Sequence, residues 1–313
     1  MAQYTFLTEI EINAAAESYG LGEVISYKVL EGGSENTNYL IKTKNGEYVV
    51  SICEQKTKEE ALLLTKVLSH LSDYGFNTSK ALTNKNQDWI TIYHGKPFMI
   101  KEYVVGQVLD DIPEHLVRSL GCELGRLHQI PPLEMLPNHL SYGKEHFHEV
   151  AEYADGSDFH LWLQNVEEYI QPFITKDLTT TLIHGDVFCN NVIVHEIDQS
   201  LTIIDFEEAT NYYRIFDIGM TIIGCCKADN TIDTEKIIEL LKGYSEIITL
   251  TEQEIKSLKA FTAYAGAAMT FWRHKNFNFT KPDPRFFNHF IELKKRTDDV
   301  MSLPDTFFYN ILN

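Results

Sequence analysis

Residues 181–209, TLIHGDVFCNNVIVHEIDQSLTIIDFEEA, decide the fold, because short apolar runs there alternate with turns that carry polar side chains. The apolar runs predict short strands, and the polar residues 198–200 predict a turn between the last two of them. Asp186, Asn191 and Asp205 each stand where an apolar run meets a turn. Strand ends present loop residues to a cleft in fixed positions, so these three side chains are the first candidates for a functional site.

The spacing of the same residues indicates phosphoryl transfer. His184, Asp186 and Asn191 form the H-x-D-x-x-x-x-N pattern of a kinase catalytic loop, and Asp205 with Phe206 follows where a second metal ligand is expected. The reaction needs a carboxylate that orients and deprotonates the attacking hydroxyl, and oxygen ligands for magnesium. We therefore expect Asp186 to be the catalytic base and Asn191 and Asp205 to bind the metal. His184 is expected to hold the loop through a hydrogen bond to the backbone. A single Asp or Asn beside glycine is usually a turn former, so the joint pattern carries the interpretation.

Composition narrows the class of protein. The formal net charge of −18 argues against nucleic acid and anionic membranes as partners, and it requires Mg²⁺ and a local basic group beside bound ATP. Five cysteines without a C-x-x-C pair predict neither disulfides nor a zinc site. No signal sequence or membrane-spanning run is found, so we expect a soluble, cytoplasmic protein. His146 and His148 near Glu149 are interpreted as solvated loop side chains.

The first hundred residues predict an antiparallel sheet with helices. Helical spacing runs from 7 to 19, and a capping box at Thr57 and Glu60 predicts the start of a second helix. Period-2 runs predict three strands, VISYKVL, TNYLIKT and EYVVSIC, with a hairpin turn at 44–46. A further hairpin is predicted at 89–104.

Two segments of this part are candidates for nucleotide binding. The polar loop 31–38 lets backbone amides approach phosphate closely, and a glycine-bearing loop between the first two strands covers the nucleotide in a kinase-like fold; the alternative is a plain β-turn. Residues 102–106 are interpreted as a hinge whose backbone at 102–104 would bind adenine; the alternative is an edge strand meeting a loop. The candidate residues are Gly32, Gly33, Ser34, Asn36, Glu102, Tyr103 and Val104.

After the hinge the pattern becomes helical. Helices are predicted at 113–129, 157–174, 216 onward, 234–247, 252–276 and 284–297. Asp217 is a candidate structural acid that caps its helix or braces the catalytic loop. The prediction is an α+β, two-lobed protein-kinase-like fold. Its parts are an N-terminal nucleotide-binding lobe at 1–101 with an antiparallel sheet and helix, a hinge at 102–106, and a larger, mainly helical lobe at 107–313 for catalysis and acceptor binding.

The chain resembles the aminoglycoside/choline kinase-like phosphotransferases. The resemblance rests on EGGSENTNYLIKTKNGEYVVSICE at 31–54, on IHGDVFCNNVIV and on LTIIDFEEA. Within that group, SENTNYL and the tail from KPDPRFFNHF to SLPDTFF are similar to the bacterial homoserine kinases. The resemblance implies ATP and Mg²⁺ as cofactors and phosphorylation of L-homoserine for threonine biosynthesis. Both a monomer and a homodimer stay open. Choline, ethanolamine, methylthioribose and aminoglycoside acceptors stay open, as does a nucleotide-binding pseudoenzyme.

For the acceptor, the resemblance implies residues of the helical lobe. An amino-acid carboxylate would want a basic group such as Arg214 or Arg273. A choline acceptor would want an aromatic cage, for which Trp272 is a candidate together with Tyr212, Tyr213 and Phe271.

The chain departs from the common kinase pattern in two places. Ser51 stands where many kinases have a lysine or arginine on the third strand, so Lys42, Lys101 or the loop amides must help to hold phosphate. The role of Glu59 or Glu60 as the partner of that lysine is therefore open. Glu207 follows Asp205-Phe206, at a position where choline and ethanolamine kinases are similarly acidic.

Overall fold

The computed structural model describes residues 5–30 and 36–312. The chain divides into two compact units. The first unit is Met1–Gly106 with Ile204–Glu207, and the second is Gln107–Ile203 with Glu208–Asn313. The lobe and hinge limits given above from the sequence stay a prediction.

The first unit is built on a five-stranded antiparallel sheet with the strand order β1-β2-β3-β5-β4. Its elements are α1 (Glu9–Ser18), β1 (Val24–Leu30), β2 (Asn36–Thr43), β3 (Gly46–Cys53), α2 (Lys58–Asp73), β4 (Thr91–Tyr93) and β5 (Lys96–Glu102). Alternate residues of β2, β3 and β5 bury one face of the sheet under α1. The predicted capping box of α2 is present: the Thr57 hydroxyl accepts from the Glu60 N–H, and the Glu60 carboxylate accepts from the Thr57 N–H.

One prediction for this unit is wrong in its extent. The sequence analysis assigned residues 31–38 to a polar loop while it also began the second strand, TNYLIKT, at Thr37; in the structure β2 begins at Asn36, which pairs with Cys53. Thr37 turns into the interior, and Asn38 accepts a 2.6 Å hydrogen bond from the Ser51 hydroxyl across the strand pair. These contacts extend the ladder into a segment that looks like a turn in isolation.

The second unit is mainly helical. Its elements are β6 (Gln107–Val108), α3 (Glu114–His128), α4 (Val150–Ala154), α5 (Asp158–Ile170), β7 (Thr180–Ile183), β8 (Val192–Val194), β9 (Leu201–Ile203), β10 (Thr210–Tyr213), α6 (Arg214–Cys225), β11 (Lys227–Ala228), β12 (Thr231–Ile232), α7 (Thr234–Ile247), α8 (Glu252–Lys275), α9 (His289–Ser302) and α10 (Phe307–Leu312). Short antiparallel pairings join β6-β8-β9, β7-β10 and β11-β12. The predicted α+β arrangement, a sheet with helices followed by a larger helical part, is confirmed.

Two helices of this unit begin away from their predicted positions. The last long helix was predicted from 284, but α9 begins at His289, because Asp283 anchors a turn: its carbonyl accepts from the Phe286 N–H and its carboxylate pairs with Arg285. The helix predicted from 216 begins at Arg214, directly after β10. β10 was not predicted. Its pairing with β7 supplies the partner that this short, half-buried strand needs.

Among the described residues, no helix has both the length and the apolar character needed to cross a membrane.

Candidate active site

The catalytic-loop motif lies between two strands of the second unit. β7 ends at Ile183, and β8 begins at Val192 after a single 3-10 turn. Two backbone hydrogen bonds close the loop: the Phe188 N–H donates to the Asp186 carbonyl at 3.0 Å, and the Asn191 N–H donates to the Phe188 carbonyl at 2.9 Å. The loop is thus short, and both of its ends are fixed by strand pairing.

Asp186 and Asn191 are brought into direct contact. The Asn191 side-chain amide donates to the Asp186 backbone carbonyl at 2.8 Å and to its carboxylate Oδ2 at 3.1 Å. The Asn191 Oδ1 accepts from the Asn190 amide at 2.9 Å and keeps lone-pair capacity for a cation. The amide therefore fixes the rotamer of the carboxylate and presents an oxygen ligand at the same time.

Asp217 braces the start of this loop from the buried helix α6. Its Oδ2 accepts the His184 N–H and its Oδ1 accepts the Gly185 N–H, both at 2.8 Å. His128 Nε2 lies 3.1 Å from the same carboxylate, and His128 Nδ1 lies 2.9 Å from the Tyr244 hydroxyl. Burial by itself favours the neutral acid, but the hydrogen bond and charge of His128, with the charge and backbone N–H of His184, lower the pKa of Asp217 below its ordinary value. These contacts fit the bracing role proposed for Asp217.

His184 contributes to the loop through its ring. The Asp186 N–H donates to His184 Nδ1 at 3.1 Å, and the ring is fully buried. This contact fits the backbone-holding role expected from the sequence.

Gly185 is the position at which the loop turns most sharply. Its φ is +84°, a region that favours glycine, and a Cβ there would lie 2.8 Å from the Glu208 carbonyl oxygen. The Tyr142 hydroxyl donates to the Gly185 carbonyl. Burial, followed by the charges of Glu208 and Asp186, raises the pKa of Tyr142 well above its ordinary value, so this phenol stays a donor.

Asp205 follows β9 by two residues and belongs to the first unit. Its φ of +71° is unusual for a residue with a side chain and is a form of strain that is common at functional sites. Glu207, two residues further, accepts a hydrogen bond from the Asn36 amide and forms an ion pair with Lys56 at 3.4 Å. Burial, followed by the charge of Asp205, raises the pKa of Glu207, while Lys56 and Lys101 oppose the rise.

Lys56 was missed by the sequence analysis. It lies in the connector between β3 and α2, where no periodicity or motif marks it, and its partner is distant in the sequence. Tyr142 and His128 were missed for the same reason. The motifs point to polar residues that are close to them in the sequence, and not to partners from distant segments.

The structure describes only some of the predicted nucleotide-binding residues. Gly32, Gly33 and Ser34 lie outside the described residues, and Asn36 begins β2 with its amide on Glu207. The predicted adenine-binding residues are partly engaged: Glu102 N–H donates to the Lys80 carbonyl, Tyr103 N–H donates to the Glu47 carbonyl, and the Ser79 hydroxyl donates to the Glu102 carbonyl. No hydrogen bond to the Val104 N–H is found within the described residues.

The third-strand position and the candidate helix glutamates have other partners. Ser51 is 1% exposed, and its hydroxyl is used by Asn38. The Glu60 carboxylate serves the cap of α2 through Thr57, while Glu59 is exposed. Lys42 forms an exposed pair with Glu47 at 3.0 Å.

The two arginines predicted for the acceptor differ in their surroundings. Arg214 is held by Glu254 through two hydrogen bonds of 2.6 Å. Arg273 bonds to Glu292 at 2.5 Å, and its guanidinium carbon lies 5.6 Å from the centre of the Phe188 ring in the catalytic loop. Burial lowers the pKa of Arg273, and the charges of Glu292 and Asp186 act in the opposite direction. Arg273 thus lies within electrostatic range of the proposed base.

Two of the four aromatic residues considered for a choline cage, Tyr212 and Phe271, are core residues, and Tyr213 and Trp272 are half-buried. Tyr212 is 5% exposed and shares a hydrogen bond with Tyr264, and Phe271 is 2% exposed against Phe147. Trp272 is half-buried and packs edge-on against Phe277. Buried rings of this kind offer no open faces to a quaternary ammonium, which disfavours a cage built from this set.

Comparisons with known proteins bear on the family and the fold. Residues 26–248 match the model of the phosphotransferase enzyme family. A homoserine kinase of Methylobacillus flagellatus is 27% identical over 278 residues, with 87% of this chain and 86% of that protein covered. A homoserine kinase of Rhizobium meliloti is also 27% identical, with 91% of this chain and 89% of that protein covered. The structure resembles an amicoumacin kinase bound to AMP-PNP, Ca²⁺ and amicoumacin, with a TM-score of 0.74, 19% identity and 96% of each chain covered. This likeness confirms the kinase-like fold.

Proposed function

This chain belongs to the phosphotransferase enzyme family, as its resemblance predicted, and on that premise we propose that it transfers the γ-phosphate of ATP to the hydroxyl of L-homoserine. The product would be O-phospho-L-homoserine, an intermediate for threonine biosynthesis in the cytoplasm. Support for homoserine comes from relatives of that name that match most of the chain. The single observation that carries the chemistry is the hydrogen-bonded pair Asp186 and Asn191, braced by Asp217.

Asp186 is proposed as the base. Its carboxylate, oriented by the Asn191 amide, would accept a hydrogen bond from the acceptor hydroxyl and take its proton as the phosphate is transferred. His184 and Asp217 act on the backbone of the same loop and keep that carboxylate in place. Little reorganisation is then needed when the acceptor arrives.

The residues present suit a divalent metal. Asn191 offers an amide oxygen and Asp205 a carboxylate, and Mg²⁺ prefers such oxygen ligands. We propose that these two side chains hold Mg²⁺, which when bound neutralises charge on the phosphate oxygens. Gly32, Gly33 and Ser34 are proposed to cover the phosphates, with Asn36 at the edge of that loop.

Adenine is proposed to bind at residues 102–104. The Glu102 carbonyl accepts from Ser79 but has a second lone pair, which suits the adenine amino group. The Val104 N–H suits a ring nitrogen. Tyr103 has its N–H engaged with Glu47, so its contribution would come from its side chain.

Arg273 is proposed to bind the acceptor carboxylate, in preference to Arg214. Each guanidinium is paired with a glutamate, Arg214 with Glu254 and Arg273 with Glu292, but Arg273 also contacts the catalytic loop through Phe188. Arg273→Lys keeps the charge but loses the planar fork. The KM for homoserine should then rise about tenfold while the KM for ATP stays within about twofold. Equal changes in both constants would remove Arg273 from the acceptor site.

The function is tested by measuring ADP release with a panel of acceptors: L-homoserine, choline, ethanolamine, methylthioribose and an aminoglycoside. We expect the highest kcat/KM with L-homoserine. A higher kcat/KM with choline or ethanolamine would replace the proposed acceptor but keep the reaction. Binding of AMP-PNP without turnover of any acceptor would favour the pseudoenzyme.

A further inference from the structure

A polar cluster in the first unit joins the connector after β3 to the segment that carries Asp205. Lys56 pairs with Glu207 at 3.4 Å, and the Asn36 amide donates to the same carboxylate. The side chains of Lys56 and Glu207 are only 16% and 11% exposed. Such a pair loses much of its hydration, and this desolvation cost offsets its Coulombic attraction, so a gain in stability is a weak explanation for the pair.

Bound ATP requires a cation that the usual position does not supply. Protein kinases take this charge from a lysine on the third strand, which a glutamate of the following helix positions. Here Ser51 is neutral, buried and bonded to Asn38. Glu60 is engaged in the helix cap and Glu59 is exposed, so the helix does not supply a positioned partner either.

Three lysines among the described residues of this unit are half-buried, namely Lys56, Lys96 and Lys101, and the others are exposed. Lys96 bonds to Glu54 and to the Thr5 hydroxyl. Lys101 lies on β5 opposite Val49 and acts on Glu207 only through its charge. Lys56 is the lysine in direct ionic contact with the segment that follows Asp205.

We propose that Lys56 binds the phosphate chain of the nucleotide and that Glu207 is its positioning residue. Glu207 holds the Lys56 ammonium beside the segment that carries Asp205, and phosphate oxygens of a bound nucleotide would accept hydrogen bonds from that ammonium. The Asn36 amide donates to the other oxygen of the same carboxylate. Lys56 and Glu207 would then take the roles of the kinase lysine–glutamate pair, although both residues lie at other positions in the chain. The inference rests on the proposed function, because it requires ATP as the phosphate donor.

The test compares Lys56→Met with Lys56→Arg in the full-length protein. Lys85→Met is the matched control, since Lys85 is also ion-paired in this unit, with Glu17, but is exposed. Titration calorimetry with AMP-PNP and Mg²⁺, with ADP and with adenosine reports binding without turnover. Lys56→Met should weaken AMP-PNP and ADP binding about tenfold or more and leave adenosine binding unchanged. Lys56→Arg should recover most of the affinity, and Lys85→Met should bind like the parent protein.

Other outcomes overturn the inference. AMP-PNP affinity equal to that of the parent protein, or an equal loss for adenosine, would show that Lys56 is not a phosphate ligand. A tenfold loss in Lys101→Met with none in Lys56→Met would move the role to Lys101. If thermal unfolding shows Lys56→Met to be unfolded, Glu207→Gln carries the test: it should weaken AMP-PNP but not adenosine, and unchanged AMP-PNP affinity would refute the positioning role.

The readouts separate this inference from the function. Phosphate-dependent loss of nucleotide affinity in Lys56→Met, without turnover of any acceptor by the parent protein, would support the inference and count against the proposed function. Turnover of homoserine by the parent protein, with unchanged nucleotide binding in Lys56→Met, would support the proposed function and count against the inference. Failure of the parent protein to bind AMP-PNP would refute both.

Discussion

Residues 183–191 of the second unit and residues 204–207 of the first carry the proposed reacting groups, but they are held by different forces. The catalytic loop is fixed by short hydrogen bonds between backbone groups and the fully buried Asp217. The segment after β9 is fixed on its own unit by the ion pair of Lys56 with Glu207 and by the amide of Asn36.

The difference separates two requirements of the same reaction. A base must keep one geometry through many turnovers, and buried hydrogen bonds to the backbone provide this because breaking them leaves unpaired polar groups in the interior. A site for a charged nucleotide needs a positioned cation, and the ion pair of Lys56 with Glu207 holds one beside the segment of Asp205. Four variants, taken from the largest expected effect to the smallest, test how buried hydrogen bonds and ion pairs of different exposure contribute to this protein.

Asp186→Asn should lower kcat by about 10²–10⁴-fold, because the amide cannot take the proton of the acceptor hydroxyl. AMP-PNP affinity should remain close to that of the parent protein, since the change leaves the nucleotide contacts in place. Steady-state ADP release and titration calorimetry measure the two quantities. An unchanged kcat would remove Asp186 from the role of base.

Asp217→Ala should lower the free energy of unfolding by about 3–5 kcal/mol, because the N–H groups of His184 and Gly185 and the ring of His128 lose a buried acceptor. Chemical denaturation measures the loss, with the exposed Asp177→Ala as control. If the two variants are equally stable, the catalytic loop is not held from α6, and the contrast between the two segments fails.

Glu254→Gln tests a buried ion pair away from the reacting groups. Burial raises the pKa of Glu254, but hydrogen bonds and charge from Arg214, with the cap at Thr251, outweigh it and lower the pKa below 4.5. Stability from this group is present above the ordinary glutamate pKa and is lost as the pH falls through the folded-state value. The variant should be less stable than the parent by about 1–3 kcal/mol at pH 7, and the gap should close below pH 4.5. A difference in stability between variant and parent that stays constant down to low pH would contradict the ion pair of Glu254 with Arg214.

Lys256→Ala is the smallest change. Lys256 pairs with Glu252 on the outside of the same helix, α8, and both side chains are more than half exposed. Solvent screens such pairs, so denaturation curves of variant and parent should overlap, at low salt as at high salt. A clear loss of stability would mean that exposure is not what distinguishes the ion pairs of this protein.

The sequence was informative where the signals are local. The catalytic motif, the capping box at Thr57 and the hairpin turn at 44–46 are each formed by residues a few positions apart. Each of them can therefore be predicted from a short stretch of sequence. The pairs Lys56 with Glu207 and Arg214 with Glu254 join residues far apart in the sequence, and only folding creates them. The loop predicted at 31–38 extended too far, because Asn36 and the residues after it pair with the neighbouring strand β3.

Gly185 and Asp186 are neighbours in one motif but are constrained in different ways. At Gly185 the left-handed backbone and the nearby Glu208 carbonyl exclude every side chain, whatever chemistry the loop performs. At the next position, Asp186, we expect the fold to accept other residues of similar shape and only the proposed reaction to demand a carboxylate. A library screened first for folded protein and then for turnover would therefore record residue 185 as intolerant in the first screen and residue 186 in the second.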